Sequence, residues 1–258
     1  MPIDVSRLLC ESCGYDLTGL SAAAMDAKCP ECGRAIAASR PERRIGSPWQ
    51  RGRGFHGWWR TLTIIVRRPR TCWDEFAVES RRADRLEVVN ACVGSVPVAA
   101  VLLAASWDDM AKHPGLALAE TGLSMAAALV FFGVPVILLT WIERTGIRYF
   151  GRRRGWRITR EVSRTICAHA SYGWILSGLL VSLGWHFMRR SDLPLWLATP
   201  KPWLGGREIL PVGIAVPALL FLAFLPGMIL FECWVYAGFV RMRYANVLNA
   251  DARTTSIP

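Results

Sequence analysis

Lysine is nearly missing from this sequence. Of its 31 basic residues only Lys28, Lys112 and Lys201 are lysine, and the others are arginine. Histidine is sparse, at four residues, and the 20 acidic residues leave a formal net charge of +11. Catalytic patterns are missing as well. There is no glycine-rich phosphate loop, no HExxH helix, no Ser/His/Asp order and no paired-carboxylate motif. These absences place a non-enzymatic role ahead of an enzymatic one. The N-terminal stretch MPIDVSRLLCESC lacks the apolar run of a cleavable signal peptide, so it is expected on the cytoplasmic, reducing side.

Apolar residues are abundant. They make up 52% of the 258 positions, with 12 Trp and 10 Phe, and the mean hydropathy is +0.26. Disordered chains are poor in such residues, and ordinary soluble domains are less apolar, so both classes are excluded. Four stretches reach the roughly 20 residues that a bilayer crossing requires: 88–106, 118–142, 165–187 and a last one within 209–240. The fourth is over-long. As one helix its 32 residues would extend about 48 Å, against a hydrocarbon core of about 30 Å. One tilted helix, or two pieces broken at Leu225-Pro226-Gly227, both fit the pattern. The predicted fold is an all-α multi-span membrane bundle of four transmembrane helices.

Basic residues set the expected orientation, because cytoplasmic loops collect Lys and Arg. The first 87 residues hold 15, the 143–164 loop 8 and the tail after 240 holds 3, giving 26 on one side. The 107–117 loop holds 1 and the 188–208 loop 4, giving 5 on the other. Both termini are therefore expected in the cytoplasm of a multi-pass protein, in a bacterial cytoplasmic membrane. The run GRRRGWR, 151–157, lies beside two spans. Its Arg152, Arg153 and Arg154 are assigned to anionic headgroups rather than to nucleic acid, at about 1 kcal/mol per basic residue near the surface.

Residues 36–54, SRPERRIGSPWQRGRG at their centre, have no apolar period and are expected as a flexible basic linker. Residues 55–87 follow as juxtamembrane interfacial helices. In FHGWWRTLTIIV, Trp58 and Trp59 are expected at headgroup depth, with Arg67, Arg68 and Arg70 on anionic lipid. The spans then occupy 88–240 and a cytoplasmic tail 241–258.

The sharpest signal is Cys10-x2-Cys13-x15-Cys29-x2-Cys32, in CESCGYDLTGL and KCPECGR. Each C-x2-C turn brings two sulfurs to one metal at about 2.3 Å, and Gly14 and Gly33 suit the positive-φ turn after it. Four thiolates leave no open coordination position, so the metal is structural and supplies folding energy to a module of residues 1–35. Zn2+ is the favoured ion and Fe the alternative.

These knuckles resemble the small β-rich zinc ribbons found ahead of bacterial membrane domains, and also rubredoxin-like iron modules. The resemblance covers residues 8–35 and implies Cys10, Cys13, Cys29 and Cys32 as ligands. The segment SAAAMDA, 21–27, has none of the aromatic core residues of a rubredoxin. The membrane half is loosely similar to the Yip family, through WWRTLTIIVRRPRTCWDEF just before the spans. That likeness implies a role in membrane trafficking or organisation, and five spans where this chain reads as four.

Three functions compete. The first is a protein-interaction or membrane-organising role, with an unidentified protein partner at the ribbon. The second is membrane-tethered electron transfer on iron, and the third a small transporter. His169 is expected as a hydrogen-bonded packing residue, Cys92, Cys167 and Cys233 as buried small hydrophobes, and Cys72 as a juxtamembrane thiol open to reaction. Gly173/Ser177 and Gly178/Ser182 would let the third span approach its neighbours closely.

Overall fold

A computed structural model describes residues 7–20, 27–52, 54–78, 81–112, 117–190 and 212–247. The counted charges Lys201, Arg207 and Arg253, most of the segment 21–27 and most of the tail lie outside the described residues. The described chain is mostly helical. Helix α1 is Gly54–Arg67 and α2 is Arg81–Lys112. Helix α3, Ala117–Ala128, runs through a π turn, Leu129–Gly133, into α4, Val134–Arg153. Helices α5, Arg160–Ala170, α6, Gly173–Arg190, and α7, Val212–Arg241, complete it.

Four helical runs are long and apolar enough to cross a membrane: Arg82–Ala104, Ala119–Arg153, Arg160–Met188 and Pro217–Arg241. The ambiguous fourth stretch is one helix, with Pro217 and Pro226 inside it. Ser177 of α6 donates to Phe224 O at 2.9 Å, a hydrogen bond from a neighbouring helix in the turn that Pro226 interrupts.

The chain divides into two compact units. The first holds residues 1–87, 140–170 and 233–258, the second 88–139 and 171–232. In the second unit the small residues of α6 do what their spacing predicts. A Cβ on Gly173 would lie 2.7 Å from Gly227 O of α7, and one on Gly178 would collide with Gly94 O of α2. Both helices therefore approach α6 backbone to backbone, which only small residues permit. Asn90 Nδ2 also donates to Ser171 Oγ at 2.8 Å.

In the first unit an aromatic core forms from Trp73, Phe76 and His169. Phe76 stacks on the imidazole at 4.3 Å and Trp73 meets it edge-on at 6.3 Å. His169 is fully buried, as the packing reading requires. Its Nδ1 lies 2.8 Å from Thr165 O and its Nε2 3.0 Å from Ser47 Oγ. An ion cluster joins three helices nearby: Arg144 pairs with Glu87 and with Asp84 at 3.4 Å, and Arg164 reaches Asp84 at 3.7 Å.

Four expectations are not met among the described residues. Residues 7–20 and 27–35 show two isolated antiparallel bridges, Leu9↔Asp16 and Lys28↔Ala35, rather than a β-rich ribbon, because each cysteine turn reverses the chain before a ladder can extend. Residues 36–52, expected within a flexible linker, are packed. They form turns at Ile36–Ser39 and Pro41–Arg43, and Arg44, Ser47 and Gln50 are buried. Their polarity serves internal hydrogen bonds: Ser47 N donates to Gln50 Oε1 at 2.8 Å, and Gln50 Nε2 to Ala77 O at 2.7 Å. Cys92 and Cys233 lie on helix surfaces, and only Cys167 of the three span cysteines is buried. Cys72 is buried rather than available, and burial pushes its thiol up to about 12, which suppresses the reactive thiolate.

Candidate metal centre

The four cysteines converge. Their Sγ atoms all lie within 4.8 Å of one another. Cys10 Sγ is 3.5 Å from Cys32 Sγ, and Cys13 Sγ is 3.6 Å from Cys29 Sγ. A tetrahedral ion with arms of about 2.3 Å needs sulfurs about 3.8 Å apart, so the cage fits a tetrathiolate metal. The same geometry accommodates zinc or iron.

The cage is built from two copies of one turn, related by a shift of 19 residues. Cys10 N donates to Tyr15 O and Gly14 N to Cys10 O, both at 2.8 Å. Cys29 N donates to Arg34 O at 2.8 Å and Gly33 N to Cys29 O at 2.9 Å. Leu17 N to Leu8 O and Ile36 N to Ala27 O close the two loops, each at 2.8 Å. Gly14 and Gly33 have φ of 84° and 69°, the left-handed conformation that the sequence predicts for them. Leu17 and Ile36 fill the small core behind Cys10 and Cys29.

Electrostatics inside the cage favour one thiolate at a time. Burial pushes the Cys10 thiol up, but hydrogen bonds from the Cys13 and Ser12 amides and from Cys32 outweigh it, and Cys10 is lowered to about 7. Burial and the neighbouring sulfurs push Cys13 up to about 12. In a metal-free cage the first negative sulfur opposes the second. A divalent cation removes that opposition and draws all four thiols into the thiolate form.

The module is anchored to the rest of its unit through the first knuckle. Asn246 accepts from Leu9 N at 3.0 Å and donates to Leu9 O at 2.8 Å and to Ser39 O at 2.6 Å. Arg243 Nη2 donates to Ser12 O at 2.5 Å. The Tyr244 ring covers Gly14 so closely that a Cβ there would lie 2.8 Å from it. Arg157, 5% exposed, donates to Arg7 O at 2.6 Å, to Ala245 O at 3.2 Å and to Asn246. Glu11 receives both Nε and Nη2 of Arg44, at 3.0 and 2.9 Å, and also Asn246 N at 3.0 Å. The remaining Arg44 donor, Nη1, is satisfied by Trp73 O and Phe76 O at 2.7 and 3.1 Å, so this buried ion pair leaves no charge unmet.

Sequence reasoning missed this anchor. Arg157 was indistinguishable from its neighbours in an arginine run, and Arg44 and Asn246 lay in segments without apolar period. Only the pairing of Glu11 with a distant arginine could have been guessed, from a carboxylate inside a knuckle. The interfacial residues divide. Trp59 is 56% exposed, but Trp58 is 7% exposed, beside Thr61 and Ile65 on the buried face of α1. Arg67, Arg68, Arg70, Arg152, Arg153 and Arg154 are all exposed, with Arg153 over the Tyr149 ring and Arg154 over Trp156.

The chain matches no protein-family model, no curated protein and no solved structure. The likeness to zinc ribbons, rubredoxin-like modules and the Yip family therefore rests on the quoted residues alone.

Proposed function

We propose that this chain is a multi-pass membrane protein whose cytoplasmic cysteine module holds a structural zinc ion and presents one face to a protein partner. The observation that carries the reading is the cage of four convergent sulfurs in a chain with four apolar helices of spanning length. Cys10, Cys13, Cys29 and Cys32 hold the ion. When bound it supplies folding energy and no open coordination position. The partner meets the second knuckle, because Pro30, Glu31, Cys32 and Gly33 are exposed whereas the first knuckle is covered. The termini lie inside, as the 26-to-5 division of basic residues requires. Exposed Arg67, Arg68, Arg70, Arg152, Arg153 and Arg154, with Trp59, rest on anionic headgroups at the same membrane face.

Metal analysis of the purified full chain tests the centre. One zinc per chain in a colourless protein supports the reading. One iron, with a reddish colour that bleaches on reduction, would replace it by membrane-tethered electron transfer. Reporter fusions at 152 and 247 should read inside. Capture experiments should compare the full chain with Glu31→Arg, which alters the open knuckle without touching the cage.

A further inference from the structure

The second unit contains a cavity of about 500 Å3 between α2, the α3–π–α4 rod, α6 and α7. Leu102, Phe132, Leu139, Val181, Trp185 and Phe224 line it. Its volume is in the range of small-molecule sites, about 300–1,000 Å3, and its walls are almost wholly aliphatic and aromatic. Phe132 and Phe224 meet edge to face at 6.2 Å in its wall. The wall includes the π turn, and π turns inside α-helices concentrate at functional sites.

Two polar side chains stand in this wall. Ser182 Oγ is already used, donating to Gly178 O at 2.7 Å. The indole Nε1 of Trp185 is buried and has no acceptor among the described residues. A buried N–H without an acceptor is left desolvated with no bond to offset the loss, which is destabilising. A ligand that brings one carbonyl oxygen into an otherwise apolar site would remove that cost.

The position of Trp185 narrows the ligand. It lies four residues before Arg189, the first of the charged pair Arg189 and Arg190 that closes the third apolar stretch, which is about 6 Å of helix rise. Leu139 lies 20 residues into the Ala119–Arg153 run. The cavity thus begins near the edge of the hydrocarbon and continues toward the bilayer interior. In a phospholipid the ester carbonyls occupy that edge and the acyl chains run inward from them.

We infer that this cavity is a specific site for one acyl chain of a glycerophospholipid, whose ester carbonyl accepts a hydrogen bond from Trp185 Nε1. The inference rests on the membrane reading above and is independent of the metal centre. Phe131 and Phe221, 80% and 59% exposed beside the cavity, form an apolar margin through which a chain could enter from the bilayer.

The test uses the full chain in vesicles of phosphatidylethanolamine and phosphatidylglycerol with a trace of phosphatidylcholine carrying a diazirine on one acyl chain. Irradiation should label Phe221 and Val181 more strongly than Tyr236, an exposed residue of α7 that does not line the cavity. Val181→Trp, or Leu220→Trp on a different helix, should cut the cavity label at least about fivefold and leave the Tyr236 label unchanged. Helicity by circular dichroism screens both for folding. In native mass spectrometry one phospholipid should stay bound through detergent, and Trp185→Phe should weaken its retention about three- to tenfold, the worth of one hydrogen bond. Equal labelling of wild type and both filled variants would overturn the site. So would a co-purifying quinone in place of phospholipid, or crosslinks from Trp185 to another segment of this chain. Release of the chain from membranes by alkaline carbonate would instead overturn the membrane reading and the site with it.

Discussion

The two cysteine knuckles share one backbone path but differ in their surroundings. Around Gly14 the Tyr244 ring closes in to 2.8 Å of a Cβ position, whereas at Gly33 no described atom lies within 4 Å. Around Leu9 both backbone groups bond to Asn246, whereas at the matching Lys28 no bond of that kind occurs among the described residues. The hydrogen bonds that shape each turn agree to within 0.1 Å. Local sequence thus dictates the knuckle, and the residues inserted between its cysteines dictate its use. Glu11-Ser12 offers a carboxylate and a reachable carbonyl to Arg44 and Arg243. Pro30-Glu31 in the second copy projects outward.

The largest effect should erase the comparison. Removing the metal, or replacing Cys29 with Ser, takes away the ion that both turns share. Structural zinc contributes about 10–16 kcal/mol of apparent binding energy in small modules at neutral pH, as much as the whole stability of a typical domain, roughly 5–15 kcal/mol. Hydrogen exchange of the full chain should show the amides of Cys10, Gly14, Cys29 and Gly33 losing protection together, while the amides of α6 and α7 keep theirs. Retention of protection at Cys29 and Gly33 after chelation would mean that the module folds without metal.

Asn246→Ala comes next and should split the pair. It strands Leu9 N–H, Leu9 C=O and Ser39 C=O in a buried place. At about 1–3 kcal/mol per unsatisfied buried group, partly relieved by water, a loss of about 3 kcal/mol is expected. Protection should fall at Leu9 and Glu11 and persist at Cys29. Asn246→Asp should not rescue, because it keeps the acceptor for Leu9 N–H but loses the donor for both carbonyls. Equal loss at both knuckles would show that the module responds as one body and that its anchoring is not one-sided.

What the sequence revealed follows the same division. Cys10, Cys13, Cys29, Cys32, Gly14 and Gly33 were legible because metal coordination and positive φ constrain residue type at fixed short spacing. The four spanning runs were legible because hydrocarbon demands a long apolar segment. Gly173 and Gly178 were legible because close helix approach demands small residues. Arg44, Arg157 and Asn246 were not, since a tertiary hydrogen bond fixes no spacing in the chain. The flexible linker read into 36–54 was the same error. Residues rich in Arg, Gly and Pro look unstructured until distant acceptors, Glu11 and the Trp73 and Phe76 carbonyls for Arg44, are brought to them. Trp58 and Trp59 differ for a related reason: adjacent positions on a helix face about 100° apart, so one can be buried while the other stays on the surface.

The smallest expected effect is the most discriminating. Gly14→Ala and Gly33→Ala impose the same local demand, an L-residue at φ near +70–85°, which costs about 1–2 kcal/mol. Only at Gly14 must the new methyl also displace the Tyr244 ring. Gly14→Ala should therefore cost about 1 kcal/mol more than Gly33→Ala, comparable to a modest overpacking penalty. Tyr244→Ala should remove that excess from Gly14→Ala and change nothing in Gly33→Ala. The readout is a double-mutant cycle on the exchange protection of Cys10 and Cys29 in zinc-loaded full chain. Both glycines are conformationally alike, so a coupling to Tyr244 at position 14 and none at 33 isolates the docking from the turn. Should the two alanine variants cost the same, with no coupling to Tyr244, the ring yields freely. The first knuckle would then be held by Asn246, Arg243, Arg157 and the Arg44–Glu11 pair.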